Sequence, residues 1–268
     1  MIRNKKSLGQ HFLNSQKVLE LIIDASDPTP DDIVVEIGPG EGVLTEKLLK
    51  FAGKVIVIEK DHRLIPFLEN KFKKEIEQGK IDIVEKDILK FDLHLLDFYK
   101  HPYKVVANIP YYITGQILRM FLESNKQPEL MTLLVQKEVA ERIVAKDGKE
   151  SLLSLSIKAF GEPKYIKTVG RNNFKPQPNV DSAILNIENI SKNNFPKGHP
   201  WGLGEKMFFE ILHLGFAHKR KQLLPNLSAK YDKIILIKTF EKCHLNPKCR
   251  AEDISIETWI KLCTIIAK

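Results

Sequence analysis

Between Ile33 and Gln136, short β-branched runs alternate with longer amphipathic stretches, and this alternation restricts the chain to a small set of folds. Strands are predicted at Ile33 to Ile37, Lys54 to Ile58, Ile81 to Glu85, Lys104 to Ala107 and Leu130 to Val135. Helix-period patterns fill the intervals, among them Thr45 to Phe51 and His62 to Glu77. Such alternation builds right-handed βαβ units, hence a mostly parallel sheet covered on both faces, with its ligand at the carboxyl ends of the strands. After a helical pattern from Lys137 to Phe160, Tyr165 to Val169 and Ser182 to Ile187 read as two more strands. The connector Phe174-Lys175-Pro176-Gln177-Pro178-Asn179 between them is short and proline-rich, which favours an antiparallel pair closing a seven-stranded sheet. The polar stretch Ser191 to Pro200 reads as a linker, and helical patterns follow at Glu205 to Phe216, Tyr231 to Cys243 and Ser255 to Ala267. The expected organisation is an α/β domain over residues 1–190 and a small helical domain over 191–268.

Charge separates the same two regions. Of 42 Lys and Arg and 34 Asp and Glu, 14 basic and 7 acidic residues lie beyond residue 190, so the tail carries +7 and the front +1. A basic tail suits a polyanionic partner. Cys243, Cys249 and Cys263 are odd in number and lack C-x-x-C spacing, so they read as reduced thiols rather than disulfides or metal ligands. No apolar segment follows the basic Met1 to Lys6, and no run reaches 18 apolar residues, so neither a membrane segment nor export is expected. The chain is read as a cytoplasmic monomer without a metal.

The strand ends carry the chemistry. Val34-Val35-Glu36-Ile37-Gly38-Pro39-Gly40-Glu41-Gly42 is a strand running into a glycine-rich turn, where backbone can approach a ligand closely. Its spacing is G-x-G-x-G, with Val43 where a dinucleotide fold would place its last glycine, and Pro39 removes an N–H that a phosphate would use. A nucleoside without phosphates fits better. Glu59 ends the next strand, where this type of sheet hydrogen-bonds a ribose diol. Asp87 follows the third, placed to accept from an adenine amine while Ile88 lies against the ring. The fourth ends in Asn108-Ile109-Pro110-Tyr111. There the Asn108 side-chain oxygen and the Ile109 carbonyl, aimed by rigid Pro110, can accept both hydrogens of an adenine amine and turn its lone pair toward a methyl sulfonium. Tyr111 offers a stacking face to a base drawn out of its helix.

With Ser7-Leu8-Gly9-Gln10-His11-Phe12-Leu13 at the start and Asn173-Phe174-Lys175-Pro176-Gln177-Pro178-Asn179-Val180-Asp181-Ser182 later, these motifs resemble the small-subunit ribosomal RNA adenine dimethyltransferases over essentially the whole chain. The resemblance implies a Rossmann-like class I methyltransferase that uses S-adenosyl-L-methionine to place two methyl groups on each of two adjacent adenines of small-subunit rRNA, free or in a pre-ribosomal particle. It also implies that His11 and Leu13 close the cofactor site, that Gly38, Gly40, Glu59, Lys60, Asp87, Ile88 and Asn108 hold the cofactor, and that Tyr111 and Phe174 sandwich the target base. Taken alone, Phe174 reads as a core aromatic. In the tail, Lys219, Arg220 and Lys221 resemble the family's basic helix junction, and Arg250-Ala251-Glu252 its closing motif. Gly148-Lys149-Glu150-Ser151-Leu152 departs from the Tyr-Gly pair more common there. The competing readings are a large-subunit rRNA methyltransferase of the macrolide-resistance type and a non-catalytic rRNA-binding assembly factor.

Overall fold

A computed structural model describes residues 11–99, 101–195, 204–218 and 220–266. The motif residues Ser7 to Gln10 and the candidate RNA contact Lys219 lie outside them. In chain order the elements are β1 (Phe12–Leu13), α1 (Gln16–Ser26), β2 (Ile33–Ile37), α2 (Val43–Leu48), β3 (Lys54–Glu59), α3 (Ile65–Lys71), α4 (Lys73–Glu77), β4 (Ile81–Glu85) and β5 (Tyr103–Asn108). Then come α5 (Thr114–Leu122), β6 (Leu130–Gln136), α6 (Lys137–Val144), α7 (Leu152–Lys158), β7 (Glu162–Val169), β8 (Phe174–Lys175) and β9 (Ser182–Glu188). The tail adds α8 (Gly204–Gly215), α9 (Leu223–Leu227), α10 (Lys233–Lys242) and α11 (Ile256–Ile266).

Seven strands form one sheet in the order β4-β3-β2-β5-β6-β9-β7. Five are parallel, and β9 runs against both of its neighbours, as the short connector requires. All five residues of β2 are buried, the mark of a central strand covered on both faces. Against it α1 sets Val18, Leu19, Ile22 and Ile23, spaced so that one helical stripe faces the core. Fully burying each such side chain is worth about 1.5–3 kcal/mol.

Contacts divide the chain into two compact units, one of residues 1–140 and 162–190 and another of 141–161 and 191–268. The stretch 141–161, which a single cut at 190 leaves in the first domain, therefore groups with the tail. The helical run expected from Lys137 to Phe160 is broken where Ala145 and Gly148 take positive φ. The run from His62 to Glu77 is likewise split at Phe72, which leaves helical geometry and is itself buried. Nor is the start of the expected linker extended polar chain: Ser191 donates its N–H to the Phe160 carbonyl at 2.7 Å, and Phe195 packs edge-on against Phe160 at 5.0 Å. In the second unit Trp259 is fully buried, and Gly215 makes room for it, since a Cβ there would stand 2.5 Å from the indole. The departing segment has a job of its own. Glu150 pairs with Lys158 at 2.5 Å and gives its N–H to Glu252 in the closing motif, Lys149 pairs with Asp253, and Ser151 caps α7.

Candidate active site

Because β4, β3, β2 and β5 are neighbours in register, the turns after them bring Asp87, Glu59, Gly38 and Asn108 to one edge of the sheet. Between them lies a cavity of about 140 Å³. His11, Gly38, Gly40, Glu59 and Lys60 line one part of it, and Asp87, Ile88, Asn108, Ile109, Pro110 and Tyr111 the rest. A second cavity of about 390 Å³ shares Phe12, Gly38 and Asn108 with the first and adds Leu13 and Glu36. Leu13 thus belongs to this second lobe.

Gly38 sits at φ +65° with nothing within 4 Å of where a Cβ would be, so its turn leaves open space in the cavity. Gly40, at φ +58°, would bring a Cβ to 2.6 Å from the Phe12 ring. Phe12 is a site residue that single-residue reasoning passed over; its only advance signal was its place between His11 and Leu13. Glu59 is buried and accepts the Asp61 N–H at 2.8 Å and the Gly40 N–H at 3.4 Å, so its carboxylate also fastens the glycine turn. Burial raises its pKa above the usual carboxylate range. Asp87 shows the opposite sign, because the Lys60 ammonium at 2.6 Å hydrogen-bonds its charged form. Glu36 accepts the Thr45 hydroxyl at 2.6 Å, and burial pushes its pKa up to about 8.

Asn108 is oriented by a backbone group. Its Nδ2 donates to the His11 carbonyl at 2.9 Å, and since a carbonyl only accepts, the amide nitrogen must face that way. Oδ1 is left as the amide's acceptor. His11 in turn donates from Nδ1 to the Pro176 carbonyl at 2.7 Å, and its ring stacks on Tyr111 at 6.1 Å between centroids. The Tyr111 hydroxyl shares a hydrogen bond with Ser182 at 2.8 Å. Phe174 does not reach either cavity. Leu13 and Phe174 are partners in the antiparallel β1–β8 pair, and that pairing turns the phenyl ring into the core, where it is 4% exposed. Phe174 thus lies in the core in this structure, as its residue type alone suggests. Arg220 and Lys221 are exposed in the second unit.

The sequence pattern of the ribosomal RNA adenine dimethylase family matches residues 1–268. The chain belongs to the ribosomal RNA adenine dimethylase family. It is 44% identical to Ribosomal RNA small subunit methyltransferase A of Dehalococcoides mccartyi, over 98% of this chain and 88% of that protein. A Bacillus cereus protein of the same name is 38% identical over 96% and 89%. Among solved structures, the 23S rRNA methyltransferase ErmE matches with a TM-score of 0.79 at 26% identity, covering 96% of this chain and all of its own. A dimethyladenosine transferase from Plasmodium falciparum matches at 0.77 and 26%, covering 94% and 96%.

S-adenosylmethionine, the methyl donor of this family, suits the two lobes. Glu59 and Asp87 would accept from ribose hydroxyls and an adenine amine, Ile58 and Ile88 would supply apolar contact, and the space over Gly38 would admit a close ligand. When bound, it supplies an electrophilic methyl group. Replacing Glu59 with Ala is expected to weaken S-adenosylhomocysteine binding by about 1.5–3 kcal/mol, the range for hydrogen bonds to charged groups. Unchanged affinity by calorimetry would rule out the ribose role for Glu59.

Proposed function

We propose that this enzyme dimethylates the exocyclic amines of two adjacent adenines in small-subunit rRNA during ribosome biogenesis. The observation that carries the reading is the Asn108 amide, held by the His11 carbonyl with its oxygen left as acceptor, in a cavity it shares with Tyr111, Glu59 and Asp87. An adenine amine is a weak nucleophile because its lone pair is delocalised into the ring. Oδ1 of Asn108 and the Ile109 carbonyl would take its two hydrogens, and Tyr111, tethered to Ser182, would hold the base flat. The amine becomes acidic once methylated, so its proton can leave to water without a strong base. The relatives from Dehalococcoides and Bacillus, named for the small subunit, favour that RNA over the 23S rRNA named for ErmE. Labelled methyl transfer to unmethylated small subunits, run beside large subunits and followed by mapping of the modified base, tests this; label in large subunits alone would reverse the choice.

In the same reading the enzyme works in the cytoplasm as a monomer. No helix among the described residues is long and apolar enough to cross a membrane. RNA binding would be driven by Lys and Arg displacing condensed counterions, with Arg220, Lys221 and Lys219 among them. Affinity for rRNA is therefore expected to fall steeply between 50 and 200 mM salt. A flat salt profile would exclude the basic tail as the binding surface.

Residues 1–190 are further proposed to hold the cofactor and those beyond 200 to select the RNA. A fragment ending at residue 190 is expected to bind S-adenosylhomocysteine yet methylate small subunits far more slowly than the full chain. It would need a stabilising ligand, because the cut strips Phe160 of Phe195 and Phe209. A soluble fragment that had lost cofactor binding, or one that matched the full chain on ribosomal particles, would refute the division.

A further inference from the structure

Tyr112, next to Tyr111 in the chain, is 64% accessible. It is not projected from a loose loop. Tyr111, Tyr112 and Ile113 form a 3-10 turn; the Ile113 N–H donates to the Pro110 carbonyl at 3.1 Å, and the Thr114 hydroxyl donates to the Tyr111 carbonyl at the same distance. Ile109 and Ile113 are buried on either side. A large ring is thus held in water, on a rigid base, at the edge of the cavity that contains Asn108 and Tyr111. Keeping a ring wetted in this way forgoes the gain from burying it, which makes such a residue a candidate for a partner outside the chain. Lys60, ion-paired with Asp87, and Lys86 are exposed beside it, and Leu89 adds an exposed apolar contact. Cations interleaved with an aromatic face are what a single RNA strand meets on proteins that track it by stacking.

We infer that Tyr112 is a second base platform, on which the nucleotide flanking the target adenine stacks while the target occupies the pocket. The inference rests on the RNA-adenine reading above. Drawing one base out of a helix strips its neighbour of a stacking partner, and an aromatic face at the mouth replaces what was lost. When the two modified adenines are adjacent, that neighbour is the other adenine. The platform then holds the second target one nucleotide from the site.

The test uses the full chain with unmethylated small subunits, comparing Tyr112→Ala and Tyr112→Phe. The Ala variant is expected to raise KM for the RNA roughly 5- to 150-fold, the range for loss of one base stack, and Phe to restore it to within about twofold. Calorimetric affinity for S-adenosylhomocysteine and the salt dependence of RNA binding should both stay as in the parent, because neither a cofactor contact nor a charge is removed. An unchanged KM in the Ala variant overturns the platform. So does a parallel loss of S-adenosylhomocysteine affinity, which would place Tyr112 over the cofactor instead. If the parent enzyme methylates large subunits and not small ones, the substrate reading fails; the two failures are therefore distinguishable.

Discussion

Replacing Asn108 with Ala is expected to lower methyl transfer at saturating RNA and cofactor by roughly 10²–10³-fold, or about 3–4 kcal/mol, the scale on which single oriented hydrogen-bonding groups act in transition states. The loss should fall on kcat, because the amide oxygen serves an amine whose charge is changing more than it serves the resting fold. The structure adds a second consequence. The same side chain holds the His11 carbonyl at 2.9 Å, so the variant also frees the strand that lays Phe12 against Gly40. Asn108→Asp separates the two effects, since it keeps an acceptor oxygen but cannot donate to His11. A protein with Ala at 108 that keeps more than a tenth of parental turnover would end the catalytic role proposed for this amide.

Glu36→Gln is expected to stabilise the protein, and to do so increasingly as pH rises. Burial lifts the carboxyl from 4.5 to about 8. In the unfolded chain it ionises above pH 4.5, whereas the folded state holds it neutral until about 8, so folding grows less favourable across that window and the penalty levels off beyond it. Between pH 5 and pH 8 the difference is roughly 3–4 kcal/mol, taking 1.36 kcal/mol per pKa unit. Gln keeps a carbonyl oxygen for the Thr45 hydroxyl and carries no ionisable proton. Thermal or denaturant unfolding at the two pH values checks this. Equal effects at pH 5 and pH 8 would show that Glu36 is already ionised in the folded protein.

Much of this architecture was readable because its signals are local. Each parallel strand announces itself by a β-branched run, and Gly38, Glu59, Asp87 and Asn108 stand at predictable strand ends, so their convergence follows from parallel order alone. What stayed hidden depends on partners far away in the chain. A two-residue strand such as β1 has no periodicity to detect, and its mate β8 lies 161 positions on from Leu13 at Phe174. Without that pairing the placement of Phe12 over Gly40 cannot be inferred, nor the partner strand against which Phe174 lies in the core. The breaks at Phe72 and Ala145 were missed for a related reason, because a continuous apolar period looks the same whether or not a turn interrupts it. Glu150 had no motif to recommend it until Lys158 and Glu252 were seen beside it.

The clip between β1 and β8 also sets a clock on biosynthesis. His11 finds its Pro176 acceptor 165 residues downstream, and ribosomes add about 5–20 residues per second, so the two are separated by on the order of 10–30 s of translation. Through that interval Asn108 can exist and the five parallel strands from β2 to β6 can pair, yet the carbonyl that aims its amide lacks the anchor holding His11 in place. A nascent chain therefore carries the cofactor-binding edge before it carries an aimed amide.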